Sequence, residues 1–194
     1  MGSAAFRIED VFKEHLDVAR ASMALEAEIE RAAELLTGCL VNGNTILLCG
    51  NGGSAADAQH LAGEWVGRFL MERRGLPAIA LHTNTTAVTA IANDYGYDEV
   101  FARQVEAHGR KGDVLIALTT SGNSENVVRA ASKARMQGMD VIGMTGENHG
   151  RLGEHSHVCL AIPSSVTARV QEMHIVIGHM LCEITEQNWK AAQA

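Results

Sequence analysis

The sequence predicts an α/β fold in which a five-stranded parallel sheet carries helices on both faces, preceded by a pair of helices. Five short apolar runs follow one another along the chain, and helical segments separate them. Continuous apolar runs of this kind are typical of parallel strands that are buried on both faces. The 194 residues, 46% of them apolar, are enough to form a substantial core.

Two helices are predicted before the first strand, over residues 8–20 and 23–41, because apolar residues recur there at three- and four-residue spacing. Gly43 is a suitable stop for the second helix. A helix pair outside the alternating part is expected to cap the sheet or to pack against a neighbouring subunit. We therefore predict one domain over residues 1–194, made of a helical pair (1–43) and an α/β core (44–194).

The core alternates between the two kinds of element. Strands are predicted at 45–50, 77–81, 113–118, 140–145 and 157–163, and helices at 54–70, 85–94, 98–109, 124–138 and 166–190. In a parallel sheet of this type, ligands bind beyond the carboxyl ends of the strands. The loops that follow the strands are therefore where a functional site is expected.

Composition excludes several classes of protein. The net charge of −7 argues against a general nucleic-acid surface, which needs clustered Lys and Arg. No apolar run approaches the length of a membrane span. The four cysteines form no CxxC pair, and no signal peptide is recognisable, so free thiols in a reducing cytoplasm are expected.

The first candidate site is the glycine-rich loop GNGGS, residues 50–54, between a strand and a helix. Such loops let backbone N–H groups approach a phosphate closely, although a tight turn without a ligand is an alternative. The loop also fits the dinucleotide pattern G-x-G-x-x-A. That reading is rejected because the next strand ends at His82 and Thr83, where an acidic residue is required. A Walker P-loop is excluded because no Gly-Lys-Ser/Thr follows.

The second candidate site is TTSGNSENV, residues 119–127, again between a strand and a helix. Hydroxyl groups cluster around Gly122, on Thr119, Thr120, Ser121 and Ser124. Ser124 is placed to cap the helix, but capping alone does not explain the hydroxyls before it. Hydroxyls at a helix N-terminus form a neutral phosphate cradle, and the lack of Lys and Arg favours a small phosphate monoester.

A candidate acid–base pair, His60 and Glu64, lies at i, i+4 on the helix after the first loop. In isolation this spacing is most often a surface hydrogen bond, and metal ligation is the alternative. The last helix carries four polar groups in an apolar sequence, Gln171, Glu172, His174 and His179. Periodicity does not choose between Gln171 and Glu172 as partners of His179, and a polar oligomer contact also fits these residues.

Four motifs in this order resemble a known family: CGNGGSAADAQH…E, AIANDYG, TTSGNSENV and RVQEMH….H. The chain resembles the SIS (sugar isomerase) domain family and, within it, the phosphoheptose isomerases, over nearly its whole length. The resemblance implies a flavodoxin-like three-layer sandwich and a homotetramer with active sites built between subunits. It also implies conversion of sedoheptulose 7-phosphate to D-glycero-D-manno-heptose 7-phosphate through an enediol, the first step of bacterial heptose biosynthesis.

The resemblance also implies a set of site residues. One Zn²⁺ per subunit would be held by His60, Glu64, Gln171 and His179. The sugar phosphate would contact Asn51, Gly52, Gly53, Ser54, Glu64, Asn93, Asp94, Thr119, Thr120, Ser121, Ser124 and Gln171. Glu64 is expected to act as the base and His179 as the acid, because a carboxylate and an imidazole suit proton transfer near neutral pH. Many family members have Ser where this chain has Thr119, which keeps the hydroxyl.

A close relative of the same family is not an enzyme but a tetrameric regulator that binds the bacterial replication initiator protein. Parts of this chain, including VTAIAND and ARVQEMH, resemble that regulator as well. The regulator lacks the acid histidine, whereas this chain has His179 and an intact TTSGNS loop. The sequence therefore favours the cytoplasmic enzyme, with a sugar phosphate as its partner and neither nucleic acid nor membrane.

Overall fold

The computed structural model describes residues 7–193 and contains a five-stranded parallel sheet in the order β2-β1-β3-β4-β5. The strands are β1 (Ile46–Cys49), β2 (Ala78–Ala80), β3 (Val114–Leu118), β4 (Asp140–Thr145) and β5 (Val158–Ala161). This confirms the predicted α/β fold. Residues 1–6 and 194 of the predicted domain lie outside the described residues.

Eight α-helices surround the sheet in the described residues. They are α1 (Ile8–Ser22), α2 (Glu26–Val41), α3 (Gly53–Val66), α4 (Thr85–Tyr95), α5 (Ala102–His108), α6 (Glu125–Met136), α7 (Gly150–His155) and α8 (Thr167–Ala191). Two 3₁₀ turns, Met23–Leu25 and Tyr97–Glu99, precede α2 and α5. None of these helices is long and apolar enough to cross a membrane.

Alternate residues of each strand face two separate cores, as the pleat of a β-strand requires. In β1, Ile46 and Leu48 pack with α2, α3 and α8, whereas Leu47 and Cys49 pack with α5, α6 and α7. Both faces of the central strands are therefore covered, which explains their continuous apolar sequence.

The strand order places the two sequence-predicted loops beside each other. β1 pairs with β3, and the chain leaves β1 toward β2 on one side and β3 toward β4 on the other. This is the point at which the strand order reverses, where ligands bind in open α/β sheets. The loop after β1 and the loop after β3 both begin at this edge.

The predicted helix over 54–70 is wrong at its end, because α3 stops at Val66. The buried carboxylate of Glu186 accepts the backbone N–H groups of Phe69, Leu70 and Met71, so these groups cannot continue a helix. The predicted helix over 98–109 is also shorter, since its first turn is 3₁₀ and α5 begins at Ala102. Helix α7 has no counterpart in the sequence prediction; its six residues are too few to show a period.

Candidate active site

The glycine loop after β1 is held by side chains from three neighbouring segments. The side-chain amides of Asn51 and Asn126 donate to each other at 2.9 Å, and the Tyr97 hydroxyl donates to Asn51 Oδ1 at 3.2 Å. Gly52 has φ +55° and ψ −121°, a conformation that side chains rarely adopt. A Cβ on Gly53 would come within 2.5 Å of the Gln171 amide, so the end of the Gln171 side chain packs directly against this glycine.

The second loop brings its hydroxyls together at the N-terminus of α6. Thr119 Oγ1 lies 2.8 Å from Ser124 Oγ and 3.3 Å from Ser121 Oγ. Ser124 occupies the N-cap position, as predicted, but its side chain makes no capping hydrogen bond and contacts Thr119 instead. Thr120 is half-buried, and its carbonyl accepts the N–H of Gly146 at 3.1 Å. The helix N-terminus and the hydroxyls therefore form one polar cluster suited to a phosphate.

His60 and Glu64 of α3 meet His179 of α8 at a third cluster. His60 Nε2 lies 2.9 Å from His179 Nε2 and 3.4 Å from Glu64 Oε1. The three ligand atoms all lie within 4.8 Å of one another. Glu64 and His179 are half-buried and His60 is exposed, so the cluster is open on one side. Because His179 joins them, His60 and Glu64 are more than the isolated surface hydrogen bond that their spacing alone would indicate.

This donor set fits a zinc ion. Zn²⁺ binds imidazole nitrogen and carboxylate oxygen in a tetrahedral arrangement, and two nitrogens about 2.0–2.1 Å from the ion would lie about 3.4 Å apart. The observed separation of 2.9 Å between His60 and His179 differs from that value by a few tenths of an ångström. Small side-chain rotations would therefore accommodate the ion.

Periodicity left open whether Gln171 or Glu172 is the partner of His179, and the structure places these two side chains in different surroundings. Gln171 lies against Gly53 in the glycine loop. The Glu172 carboxylate instead contacts Arg169 and, at 2.7 Å, His15 Nδ1 of α1. These bonds outweigh the effect of burial and keep the pKa of Glu172 below its ordinary value. Gln171 thus faces the candidate site, and Glu172 fastens α1 to α8.

Four of the other residues singled out from the sequence lie apart from these clusters or are held inside the fold. Asn93 and Asp94 are exposed at the end of α4, where Asn93 Nδ2 donates to Asp94 Oδ1 at 2.8 Å. The described hydrogen bonds and ion pairs do not join them to the loops. His174 is fully buried; its Nε2 lies 3.1 Å from the Thr145 carbonyl, and burial lowers its pKa to about 4. Ser54 is buried at the first turn of α3.

Sequence reasoning missed three side chains that contact the site: Asn126, Tyr97 and Phe69. Asn126 is buried although it is polar, and such a residue beside the apolar positions of α6 is the signal that could have identified it. Tyr97 follows the AIANDYG motif by one residue. Phe69 stacks on the His179 ring, with ring centroids 5.4 Å apart, and lies in the segment that was predicted as helix. Because the helix was wrongly extended to residue 70, Phe69 was not recognised as a site residue.

The fold and the two polar loops at the switch point define an α/β domain with a candidate ligand site at the carboxyl edge of its sheet, and the family model described as SIS domain matches residues 12–146. The phosphoheptose isomerase of Rhodospirillum rubrum is 54% identical over 158 residues, which are 81% of this chain and 84% of that protein. The phosphoheptose isomerase of Aquifex aeolicus is 50% identical over 182 residues, 93% of this chain and 95% of that protein.

Solved structures agree with these relatives. The phosphoheptose isomerase from Neisseria gonorrhoeae superimposes with a TM-score of 0.88 at 44% identity, covering 93% of this chain and 97% of that one. The chain therefore belongs to the phosphoheptose isomerase family of SIS-domain proteins. The comparisons do not favour the alternative of a regulator of replication initiation, because these relatives carry the name of the isomerase.

Proposed function

We propose that the chain, an enzyme of the phosphoheptose isomerase family, converts sedoheptulose 7-phosphate to D-glycero-D-manno-heptose 7-phosphate through an enediol. One observation carries the proposal: α3 begins at the glycine loop and presents His60 and Glu64 two to three turns later, where they meet His179. His60 lies seven residues beyond Gly53, about 10 Å along the helix axis. A phosphate group and a reacting carbonyl can thus be held at two ends of one helix.

The loops after β1 and β3 are proposed to bind the phosphate. The Thr119 hydroxyl lies within hydrogen-bond distance of the hydroxyls of Ser121 and Ser124, so a phosphate oxygen can replace those contacts. Backbone N–H groups at the start of α3 and α6 add a favourable field for a dianion. Fixing the phosphate orients the rest of the sugar, which lowers the entropic part of the barrier.

Glu64 and His179 are proposed to move the protons. Isomerisation removes the C1 proton of the ketose, forms the enediol, and returns a proton to C2. Glu64 would take and return the carbon-bound proton, while His179 would transfer a proton between the oxygens on C1 and C2. Both side chains lie in the same cluster, and Gln171, whose amide lies against Gly53, is proposed to contact the sugar phosphate at the glycine-loop end.

We propose that His60, Glu64, Gln171 and His179 hold one Zn²⁺ per subunit. When bound, the ion would polarise the substrate carbonyl and stabilise negative charge on its oxygen. A carboxylate that binds the ion loses basicity, so Glu64 is expected to contact the metal weakly while it serves as the base.

The deciding experiment is incubation of the purified protein with sedoheptulose 7-phosphate, following the aldose product by NMR with and without a chelator and added Zn²⁺. Loss of product on chelation and its return with zinc would support the whole proposal. Product that is indifferent to chelation would keep the isomerase and remove the metal. No product under any condition would contradict the isomerase and make the replication initiator protein the next binding partner to test.

A second test replaces His179, the proposed acid. His179→Gln should abolish product formation while leaving the oligomer unchanged, because Gln keeps a polar group of similar reach without an imidazole's proton chemistry. His108→Gln is the matched control, since His108 is exposed at the end of α5 and away from the cluster. Full activity in His179→Gln would remove this residue from the acid role.

We also propose that the chain forms a cytoplasmic homotetramer in which the helical pair and the α/β core act as one domain. Support comes from α1, whose outer face exposes Ile8, Phe12 and Leu16, followed by Met23. An apolar groove between the start of α2 and the middle of α8 continues this surface. Exposed apolar area of this extent on helices is typical of surfaces buried between subunits.

A further inference from the structure

The segment between α3 and β2, residues 67–77, has no regular secondary structure, yet two buried side chains hold it. One is Glu186 of α8, whose side chain is 1% exposed. Its two carboxylate oxygens accept the N–H groups of Phe69 at 3.1 Å and of Leu70 and Met71 at 2.8 Å. Three consecutive backbone donors thus converge on one carboxylate, which fixes the path of the chain at Phe69.

The other is Arg73, whose side chain is 2% exposed. Its Nε donates to Glu186 Oε1 at 2.8 Å, and its Nη atoms donate to the carbonyls at the end of α3. Those carbonyls belong to Glu64 at 3.0 Å, Trp65 at 2.9 Å and Gly67 at 3.2 Å. The guanidinium therefore ties the segment to the turn of α3 that carries Glu64.

The same segment presents Phe69 to the acid. The Phe69 ring stacks on the His179 ring with centroids 5.4 Å apart and planes inclined by 26°. The His60 ring meets the His179 ring edge-on, at 5.1 Å and 63°. His179 is therefore confined between two rings, with its Nε2 directed at His60 Nε2. A side chain without a flat face would lose the stacking contact, and with it one restraint on rotation of the imidazole about its Cβ–Cγ bond.

We propose that Phe69 is a positioning residue for His179, held in place through its backbone by the buried Glu186–Arg73 pair. This inference rests on the proposed function of the His179 site. A purely structural role would rest on the contacts of Glu186 and Arg73 and on the packing of Phe69 against the core, so its loss would lower stability without a specific change at His179. A positioning role instead requires an aromatic ring.

The experiment compares Phe69→Leu, Phe69→Tyr and Leu70→Ala. Leu70 is the matched control because its N–H is also bound by Glu186, whereas the residue is 60% exposed and no ring contact joins it to His179. For each variant we would measure kcat, KM, the dissociation constant for Zn²⁺ by competition with a chromogenic chelator, and the urea midpoint. Hydrogen-bonded partners that orient metal-binding histidines typically contribute 10- to 100-fold in affinity or activity, and we take the lower end of that range for a stacked ring.

The expected result is that Phe69→Leu lowers kcat and weakens Zn²⁺ binding by about 10-fold or more, with KM changed by less than about threefold. Phe69→Tyr should restore both values, and Leu70→Ala should match the original protein. Equal kcat and Zn²⁺ affinity in Phe69→Leu would overturn the proposal, as would a Tyr variant as impaired as the Leu variant.

The Zn²⁺ measurements distinguish an error about the role of Phe69 from an error about the isomerase activity. If the unsubstituted protein forms no product, the Zn²⁺ dissociation constant alone decides, and a weakened Phe69→Leu supports the positioning role. A protein that neither turns over the sugar phosphate nor binds Zn²⁺ overturns both. Should Phe69→Leu prove too unstable to study, Phe69→Met supplies an apolar group of similar volume without a ring, with the same expected loss.

Discussion

Asn51 and Asn126 form a reciprocal amide pair in which each Nδ2 donates to the other side chain's Oδ1 at 2.9 Å. Asn51 belongs to the glycine loop after β1, and Asn126 is buried in the first turn of α6. The pair therefore joins the two loops proposed to bind the phosphate. The Tyr97 hydroxyl, 3.2 Å from Asn51 Oδ1, adds a third element to the junction.

Replacing Asn126 with Ala should lower the free energy of unfolding by about 1–3 kcal/mol, because the Asn51 amide loses both of its bonds to Asn126. KM should rise as well, since the two loops would no longer be held in register. Urea unfolding and steady-state kinetics measure the two effects. Asn188→Ala, an exposed amide on α8, is the control and should change neither. An unchanged KM would show that the pair is only structural.

Loss of a hydroxyl from the cluster of Thr119, Ser121 and Ser124 is expected to weaken substrate binding without slowing the chemical step. Thr119→Val should raise KM by about 10-fold or more with kcat nearly unchanged, because a lost hydrogen bond to a charged group weakens substrate and transition state alike. Thr119→Ser keeps the hydroxyl and should stay near the original KM. Inhibition by inorganic phosphate should weaken in the Val variant in parallel. A fall in kcat alone would contradict a purely phosphate-binding role.

The parts of the fold that follow from local pattern could be predicted from the sequence. The apolar runs predicted all five strands. The Gly and hydroxyl residues that follow β1 and β3 predicted the two loops. Parallel strands of this type place such loops at one edge whatever their distance in sequence. The pair His60 and Glu64 was also visible, because a four-residue spacing fixes both on one helix face.

The parts that depend on contacts between distant residues could not be predicted. Glu186 ends α3 from more than 110 residues away by binding the N–H groups of Phe69, Leu70 and Met71. Nothing in the sequence of residues 67–77 indicates that their N–H groups are bound by the carboxylate of Glu186. The choice between Gln171 and Glu172 likewise depends on where α1 and the glycine loop lie relative to α8.

Removal of a proposed metal ligand should be visible without any assay of turnover. His60→Gln should weaken Zn²⁺ binding by at least about 10-fold, since one of the imidazole nitrogens of the cluster is lost. Elemental analysis of protein dialysed against Zn²⁺ should give one ion per chain before the change and a clear deficit after it. His108→Gln should retain the full content. Equal zinc content in both variants would place the ion elsewhere.

His174 should make stability fall in acid. Burial lowers its pKa to about 4, while an exposed His in the unfolded chain titrates near 6.5. Between these values the unfolded state binds a proton that the folded state does not, so stability decreases as pH falls from about 6.5 to 4. The full difference is on the order of 3 kcal/mol.

The check is urea unfolding at several pH values and a fixed protein concentration. His174→Gln, which has no titrating group, should lose stability less steeply between pH 6.5 and 4 than the original protein. Substitution of the exposed His108 by Gln should leave the original slope. Identical slopes in all three proteins would mean that His174 does not carry this dependence.

The exposed face of α1 should control assembly. Phe12 is 64% exposed on that face, so Phe12→Asp would place a charge inside any subunit contact formed there. Light scattering coupled to size exclusion should then show smaller species than the tetramer expected for the original protein. Met136→Asp, at an apolar position 79% exposed on α6, is the matched control and should leave the mass unchanged. A Phe12→Asp protein that remains tetrameric would exclude this face of α1 from the interface.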